Sequence, residues 1–198
     1  FAFPEKYSFY LFFYFHKLLY KLYNFINFQL LVHLSKTLYH QNYFIYRPSN
    51  LKQLEGDFSK QPVPLQVISF YSDGKKFLIF NFHGTAFPPP KKDTPKRINQ
   101  SRYIKKILNY FSGAKILVGD FNLLPQTKSI KLLDNIMQNL IKKYKIKKTR
   151  SKISLYWGKA NFQKFADYTF VTNDVIVKNF HVPEVEISDH LPMILEFE

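Results

Sequence analysis

The stretch KILVGDFNLLPQT, residues 115–127, narrows the choice of folds more than any other part of the chain. Ile116, Leu117 and Val118 form the short apolar run of a buried strand. Gly119 ends the run, and Asp120 and Asn122 follow two residues apart. Side chains at i and i+2 of a strand share a face. A carboxylate and an amide are therefore expected to point at one spot where a buried strand leaves the core.

The rest of the chain from residue 43 reads as alternating strands and helices. LQVISFYSDGKKFLIFNFHG is two strands about a Ser72-Asp73-Gly74 turn, a hairpin signal. A proline-rich loop follows, and Thr94 is placed to cap a helix with Pro95 at its first position. Ile104, Ile107, Leu108 and Phe111 give that helix one apolar stripe. A second helix is expected from Lys128 to Lys143, with Ile130, Leu133, Met137, Leu140 and Ile141 inward. ADYTFVT, VIVKNFHV and HLPMILEFE read as the closing strands. Hairpin-paired strands with helices between them predict an α/β (α+β) chain of two sheets covered by helices, not a doubly wound parallel sheet.

Residues 1–42 have a different texture and are expected as a separate apolar, aromatic segment ahead of a domain over 43–198. Glu5 is their only acid. Lys17 and Lys21 interrupt the apolar run, and Tyr7 to Tyr14 is far shorter than the roughly 18–20 residues of a membrane span. No clear transmembrane segment results. Leu18 to Tyr39 reads as one or two helices with a broad apolar face, with an interfacial membrane helix as the alternative. The chain starts at Phe1, so a longer reading frame is expected.

At 198 residues the chain can bury a full core. It has no cysteine, which excludes disulfides and thiolate metal sites and fits a reducing, cytoplasmic location. Lys and Arg number 29 against 14 acids, a net charge of +15 that would attract polyanions. The 22 Phe and 14 Tyr beside abundant Lys, Asn and Ile are equally what an AT-rich coding sequence yields. A monomer is expected.

Four strand ends carry chemistry: Asn81 with His83, Asp120 with Asn122, Asp167, and Asp189 with His190. Singly, each has a plainer reading, because Asp and Asn are good turn formers and a lone His at a strand end is usually just a surface residue. Together they put two His, three Asp and two Asn at strand ends of one domain.

GDFN at 119–122 followed by SDH at 188–190 resembles the endonuclease/exonuclease/phosphatase superfamily, the deoxyribonuclease-like phosphoesterases. The Asn-x-His-Gly element at 81–84, LLPQTKSI after GDFN, and FADYTFV ahead of ISDHLP fall in that family's order, with Ile187 at a position where bacterial members carry Val. The likeness covers roughly residues 42–198. It implies a four-layer sandwich of two mixed sheets with helices outside, hydrolysing phosphate esters or phosphodiesters by water attack. His190 would be the general base, or polarise the attacking water, and Asp167 would orient it. Asp120 would orient the water or assist the leaving group, and Asn122, Asn81 and His83 would contact the phosphate. Asp189 would hold Mg²⁺ or Mn²⁺.

The family's opening strands, one ending in Asn and one in a Gln-Glu whose Glu is the principal metal ligand, have no counterpart in residues 1–41. The first strands are therefore expected to be missing or replaced, and the metal weakly held. Glu55 and Asp57 are poor substitutes. The ester could belong to DNA, RNA, a lipid headgroup or a small phosphate. The rival reading is a catalytically impaired remnant that binds a phosphate-bearing or nucleic-acid partner by charge. The run KKYKIKKTRSK, seven cations in residues 142–152, reads as a solvated helix end rather than a phosphate contact, and Tyr156 and Trp157 read as packing residues rather than base-stacking ones.

Overall fold

The computed structural model describes residues 63–160 and 162–198, apart from the Pro64 side chain, and the backbone of three earlier strands. Those strands are β1 (Phe9–Tyr14), β2 (Gln29–Val32) and β3 (Tyr39–Tyr46). Then come β4 (Val63–Ser72), β5 (Lys75–His83), α1 (Pro95–Tyr110), β6 (Ala114–Asp120) and α2 (Lys128–Asp134). The chain closes with β7 (Gln138–Asn139), α3 (Leu140–Lys143), β8 (Asp167–Val171), β9 (Val177–His181) and β10 (Ile194–Phe197).

Two sheets result. The larger is mixed, in the order β3-β4-β5-β6-β8-β7, with β5 and β6 its parallel pair. The smaller, β2-β1-β10-β9, is antiparallel at every described pairing, which refines the expectation of two mixed sheets. Strand register decides which side chains meet. On β5, residues 77, 79, 81 and 83 share a face. Phe77 meets Phe197 of β10 at a ring distance of 5.4 Å, so this face looks toward the smaller sheet. Phe80, on the other face, meets Phe111 just past α1, at 5.7 Å. Both faces of β5 are buried, as its run of apolar residues implies. A buried Phe or Leu contributes about 1.5–3 kcal/mol, so this central strand is a main source of stability.

Several local expectations hold. The hairpin joins β4 and β5 with Ser72 opposite Lys75. Thr94 caps α1 by accepting from the Arg97 N–H at 3.2 Å, with Pro95 in the first turn. Ile104, Ile107 and Leu108 are buried beneath α1.

The helix expected over 128–143 is instead α2, a two-residue strand and α3. All five inward residues, Ile130, Leu133, Met137, Leu140 and Ile141, are buried as the stripe predicts. Continuity fails because Asn139 competes with it. Its side chain accepts from Lys142 N–H to start a new helix and donates to Asp134 at 2.9 Å.

The helical reading of Leu18 to Tyr39 is also corrected where the backbone is described. Gln29–Val32 is a strand paired with β1, and Tyr39 opens β3. A short Leu-Leu-Val run suits a buried strand as well as a helix, and periodicity alone does not separate them. Residues 15–28 lie outside the described residues. Strands therefore precede the hairpin, and β1 lies against β10 where a first strand was expected to be missing. The described helices pack mainly on the larger sheet, and among the described residues no helix is long and apolar enough to cross a membrane.

Candidate active site

The larger sheet sets three polar residues in one row. His83 of β5 is paired with Asp120 of β6, and Asp120 with Asp167 of β8. Residues paired across neighbouring strands project on the same face, which is the face turned to the smaller sheet. Gly119 lets β5 and β6 come this close. Its φ is +134°, and a Cβ there would lie 1.9 Å from Phe82 O. Only glycine fits.

His190 meets the row from the chain segment before β10. Its Nδ1 lies 2.8 and 2.9 Å from the two oxygens of Asp167. Its Nε2 is 3.9 Å from Asp120 Oδ2, and His83 Nε2 is 3.8 Å from the same oxygen. One carboxylate thus stands between two imidazoles. The segment is held by Thr149 to Ser151. Leu191 N–H donates to Thr149 O, Ser151 N–H to Asp189 O, and Arg150 bridges His190 in the backbone. Thr149 Oγ1 also accepts from the N–H groups of Ala166 and Asp167, tying both partners of the pair to one residue.

Asn122 arrives differently from the expectation. The strand ends at Asp120, and Asn122 has φ +52°, a conformation Asn tolerates. Its N–H donates to Asp120 Oδ1 at 2.7 Å and its amide to Gly84 O at 3.1 Å. A tight turn, not strand alternation, brings it beside Asp120. Asn81 lies one step behind His83, buried, its amide donating to Gln66 at 2.9 Å. Its oxygen has no partner among the described residues.

Two cations border the cluster without having been singled out from the sequence. Arg150 donates to Asp189 Oδ2 at 2.9 Å, with its side chain only 16% exposed. The rest of the basic run 142–152 is largely solvated as expected, with Lys142, Lys143, Lys145, Lys147 and Lys152 exposed; Arg150 departs from that reading by turning inward. Lys91, from the proline-rich loop, donates to Asn122 Oδ1 and to Ala86 O. No spacing rule marks either residue. Tyr156 and Trp157 are exposed, at 53% and 41%, and Trp157 packs at the surface on Phe162, with the rings 4.9 Å apart.

The electrostatics separate the two histidines. Burial opposes a charge on His190, but the Asp167 charge and hydrogen bond, with Asp120 beyond, outweigh it and raise its pKa. Burial likewise raises Asp167, and the pair titrates as a unit. His83 goes the other way, lowered first by burial despite Asp120. Burial also brings Lys91 down to about 8, against the pull of Asp120.

For a cation, Asp120, Asp167 and His190 offer ligand atoms within 4.8 Å of one another. Both Asp167 oxygens already face His190, so a hard, oxygen-seeking ion is better served by Asp120 with Asp189. Those two carboxylates lie 3.9 and 3.8 Å from His190 Nε2, and Arg150 already engages Asp189. The set thus offers carboxylate oxygens that could hold a cation. Glu5, Glu55 and Asp57 lie outside the described residues.

The chain superposes on an endonuclease/exonuclease/phosphatase from Bacteroides vulgatus with TM-score 0.63 and 18% identity, over 82% of this chain and 66% of that one. This is the endonuclease/exonuclease/phosphatase fold. A mannosyl-6-phosphatase from Bacteroides thetaiotaomicron matches over 82% of this chain and 67% of its own, with TM-score 0.60 and 16% identity. TDP2 of D. rerio, complexed with single-strand DNA product, gives 0.57 and 14% over 82% and 68%. The chain thus spans about two thirds of the length of these proteins. No family model and no curated protein sequence matches it. The two-sheet fold implied by GDFN and SDH is therefore the one the chain adopts, with a mixed larger sheet and an antiparallel smaller one among the described pairings.

Proposed function

We propose that this chain is a divalent-metal-dependent phosphoesterase that hydrolyses a phosphate ester or phosphodiester by direct attack of water. The observation that carries the reading is the His83–Asp120–Asp167 row closed by His190, with Nδ1 within 2.9 Å of both Asp167 oxygens. Asp167 fixes the tautomer, so Nε2 carries the lone pair toward Asp120. A water there loses its proton to His190 Nε2 as its oxygen bonds to phosphorus. The ester P–O bond then breaks, and the leaving oxygen takes a proton from solvent. Asp120 orients the water, while Asn122 and His83 donate to the phosphoryl oxygens. Asn81 braces the strand end that carries His83. A Mg²⁺ or Mn²⁺ ion at Asp189 and Asp120 would supply charge neutralisation on the phosphoryl group. Neighbours that include a sugar phosphatase and a DNA-bound protein leave both monoesters and nucleic acid as substrate classes.

The test is hydrolysis by the full chain of a nitrophenyl phosphate monoester, a bis-nitrophenyl diester, and DNA and RNA oligonucleotides, with Mg²⁺ or Mn²⁺. Turnover of at least one, lost in His190→Ala, is expected. Turnover that survives that substitution would move the chemistry elsewhere. No turnover of any substrate would favour the second reading, a remnant that only binds phosphate. That reading draws on one specific contact, the engagement of Asp189 by Arg150.

A further inference from the structure

We infer that Lys91 is a phosphate-binding residue, an ammonium held at the cleft by its own loop to receive the oxygens of the substrate's phosphoryl group. The inference rests on the phosphoester reading above and adds a residue to it.

The loop between β5 and α1 is built around a buried guanidinium. Arg97 is 1% exposed, and its donors reach five loop carbonyls: Thr85 at 3.2 Å, Pro90 at 3.1 Å, Lys92 at 2.7 Å, Ala86 at 3.0 Å and Pro88 at 2.9 Å. All five guanidinium donors are thereby used. Next to it, Asp93 accepts from Lys128 N–H at 2.6 Å and from Ser129 N–H at 3.0 Å, pinning the loop to the start of α2. The Lys91 carbonyl accepts from Leu124 N–H at 2.9 Å, just past GDFN. Lys91 is therefore fixed in the backbone on both sides.

Its side chain is fixed as well. Nζ donates to Asn122 Oδ1 and Ala86 O, and an ammonium has three donors. The third N–H is left for a ligand. Asn122, which the ammonium holds, donates its N–H to Asp120, so the ammonium stands beside the row, and the Asp120 charge favours it there.

A purely structural role accounts for less. The loop already has the Arg97 contacts, and a neutral donor would serve Ala86 O without the cost of half-burying an ammonium. Burial of that cost at a cleft is where binding and catalytic groups concentrate. Lys91 also holds Asn122 by its oxygen, which turns the Asn122 amide N–H₂ away from it toward donor work.

The test uses the full chain and inorganic sulfate, an anion that does not titrate near neutrality. Calorimetric titration should show Lys91→Met weakening sulfate binding about tenfold, the loss of one charged hydrogen bond. Lys106→Met, which removes an equal charge from an exposed site on α1, should change it less than twofold in 0.15 M salt. Lys91→Arg should bind better than Lys91→Met. Equal affinities for Lys91→Met and Lys106→Met overturn the inference and leave the phosphoester reading standing.

Should Lys91→Met fail to fold, the unsubstituted protein answers instead. Saturating sulfate should slow acetylation of Lys91, followed by peptide mass spectrometry, and leave Lys106 unchanged. Equal rates with and without sulfate overturn the inference. Absence of any sulfate binding overturns it too, and the hydrolysis assay then decides the phosphoester reading separately.

Discussion

His83 stands at the end of β5 and His190 in the segment before β10, each with Nε2 just under 4 Å from the same Asp120 oxygen. Both are largely withdrawn from water, yet their pKa values move in opposite directions. The difference lies behind the rings. His190 has Asp167 on Nδ1, a buried carboxylate that outweighs desolvation. For His83, Asp120 works against burial, while the charges of His190 and Lys91 act with burial to lower it. Burial alone does not determine how a histidine titrates; the balance of neighbouring charges does as well. One cleft thereby holds one ring that protonates more readily than an ordinary imidazole and one that protonates less readily.

The largest expected effect tests this division of labour. His190→Ala should lower the rate by about 10²–10⁴, the range for a lost general base. His83→Ala, which removes one donor to the phosphate, should cost less, about 10²-fold, the lower end for a lost oxyanion donor. Steady-state rates on whichever ester is turned over, with circular dichroism to show that both variants fold, make the comparison. A larger loss at His83 would reverse the assignment of the two rings.

The second effect is on pH dependence. His190 must be neutral to accept a proton, so its raised pKa moves the acid limb of kcat/KM above the ordinary imidazole value of about 6.5. Asp167→Asn removes the negative charge and one of the two accepting oxygens beside Nδ1, while burial remains. The His190 pKa should then fall and the limb shift to lower pH, together with a lower plateau from lost orientation. A lower plateau with an unmoved limb would mean that another group governs the profile.

What could be read from the sequence follows the range of the forces involved. The β4–β5 hairpin, the Thr94 cap and the buried stripe of α1 depend on neighbours a few residues away, and all are found as expected. The break at Asn139 depends on a side chain competing for local backbone groups, which an apolar stripe does not register. Lys91 and Arg150 are set by contacts 31 and 39 residues away, to Asn122 and Asp189. In the sequence Arg150 is one cation among seven. Only the segment before β10, which carries Asp189 and His190 to Thr149 and Arg150, turns it inward. GDFN and SDH could be found because each packs several functional residues into a few positions. Asn122 was found for a partly wrong reason, since a turn and not strand alternation places it.

The smallest effect concerns the cation, where the two sides of the cleft differ again. On the His83 side, Asp120 faces imidazoles; on the His190 side, Asp189 faces Arg150 at 2.9 Å. Asp189 is 41% exposed, so this pair contributes little to stability, about 0–1 kcal/mol. Its charge still competes with any ion that would use the same oxygens. The full chain should therefore give little heat on titration with Mg²⁺, and activity should need about millimolar metal, with the phosphate supplying the remaining oxygens. Arg150→Gln frees Asp189 and should tighten Mg²⁺ by a factor of less than about ten, the most that a pair worth about 1 kcal/mol can oppose. No change on that substitution would remove Asp189 from the ligand set and leave Asp120 alone to hold the ion. Tight binding by the unsubstituted chain would instead require a further carboxylate at the cleft, with Glu55 or Asp57 the first to replace by Gln or Asn.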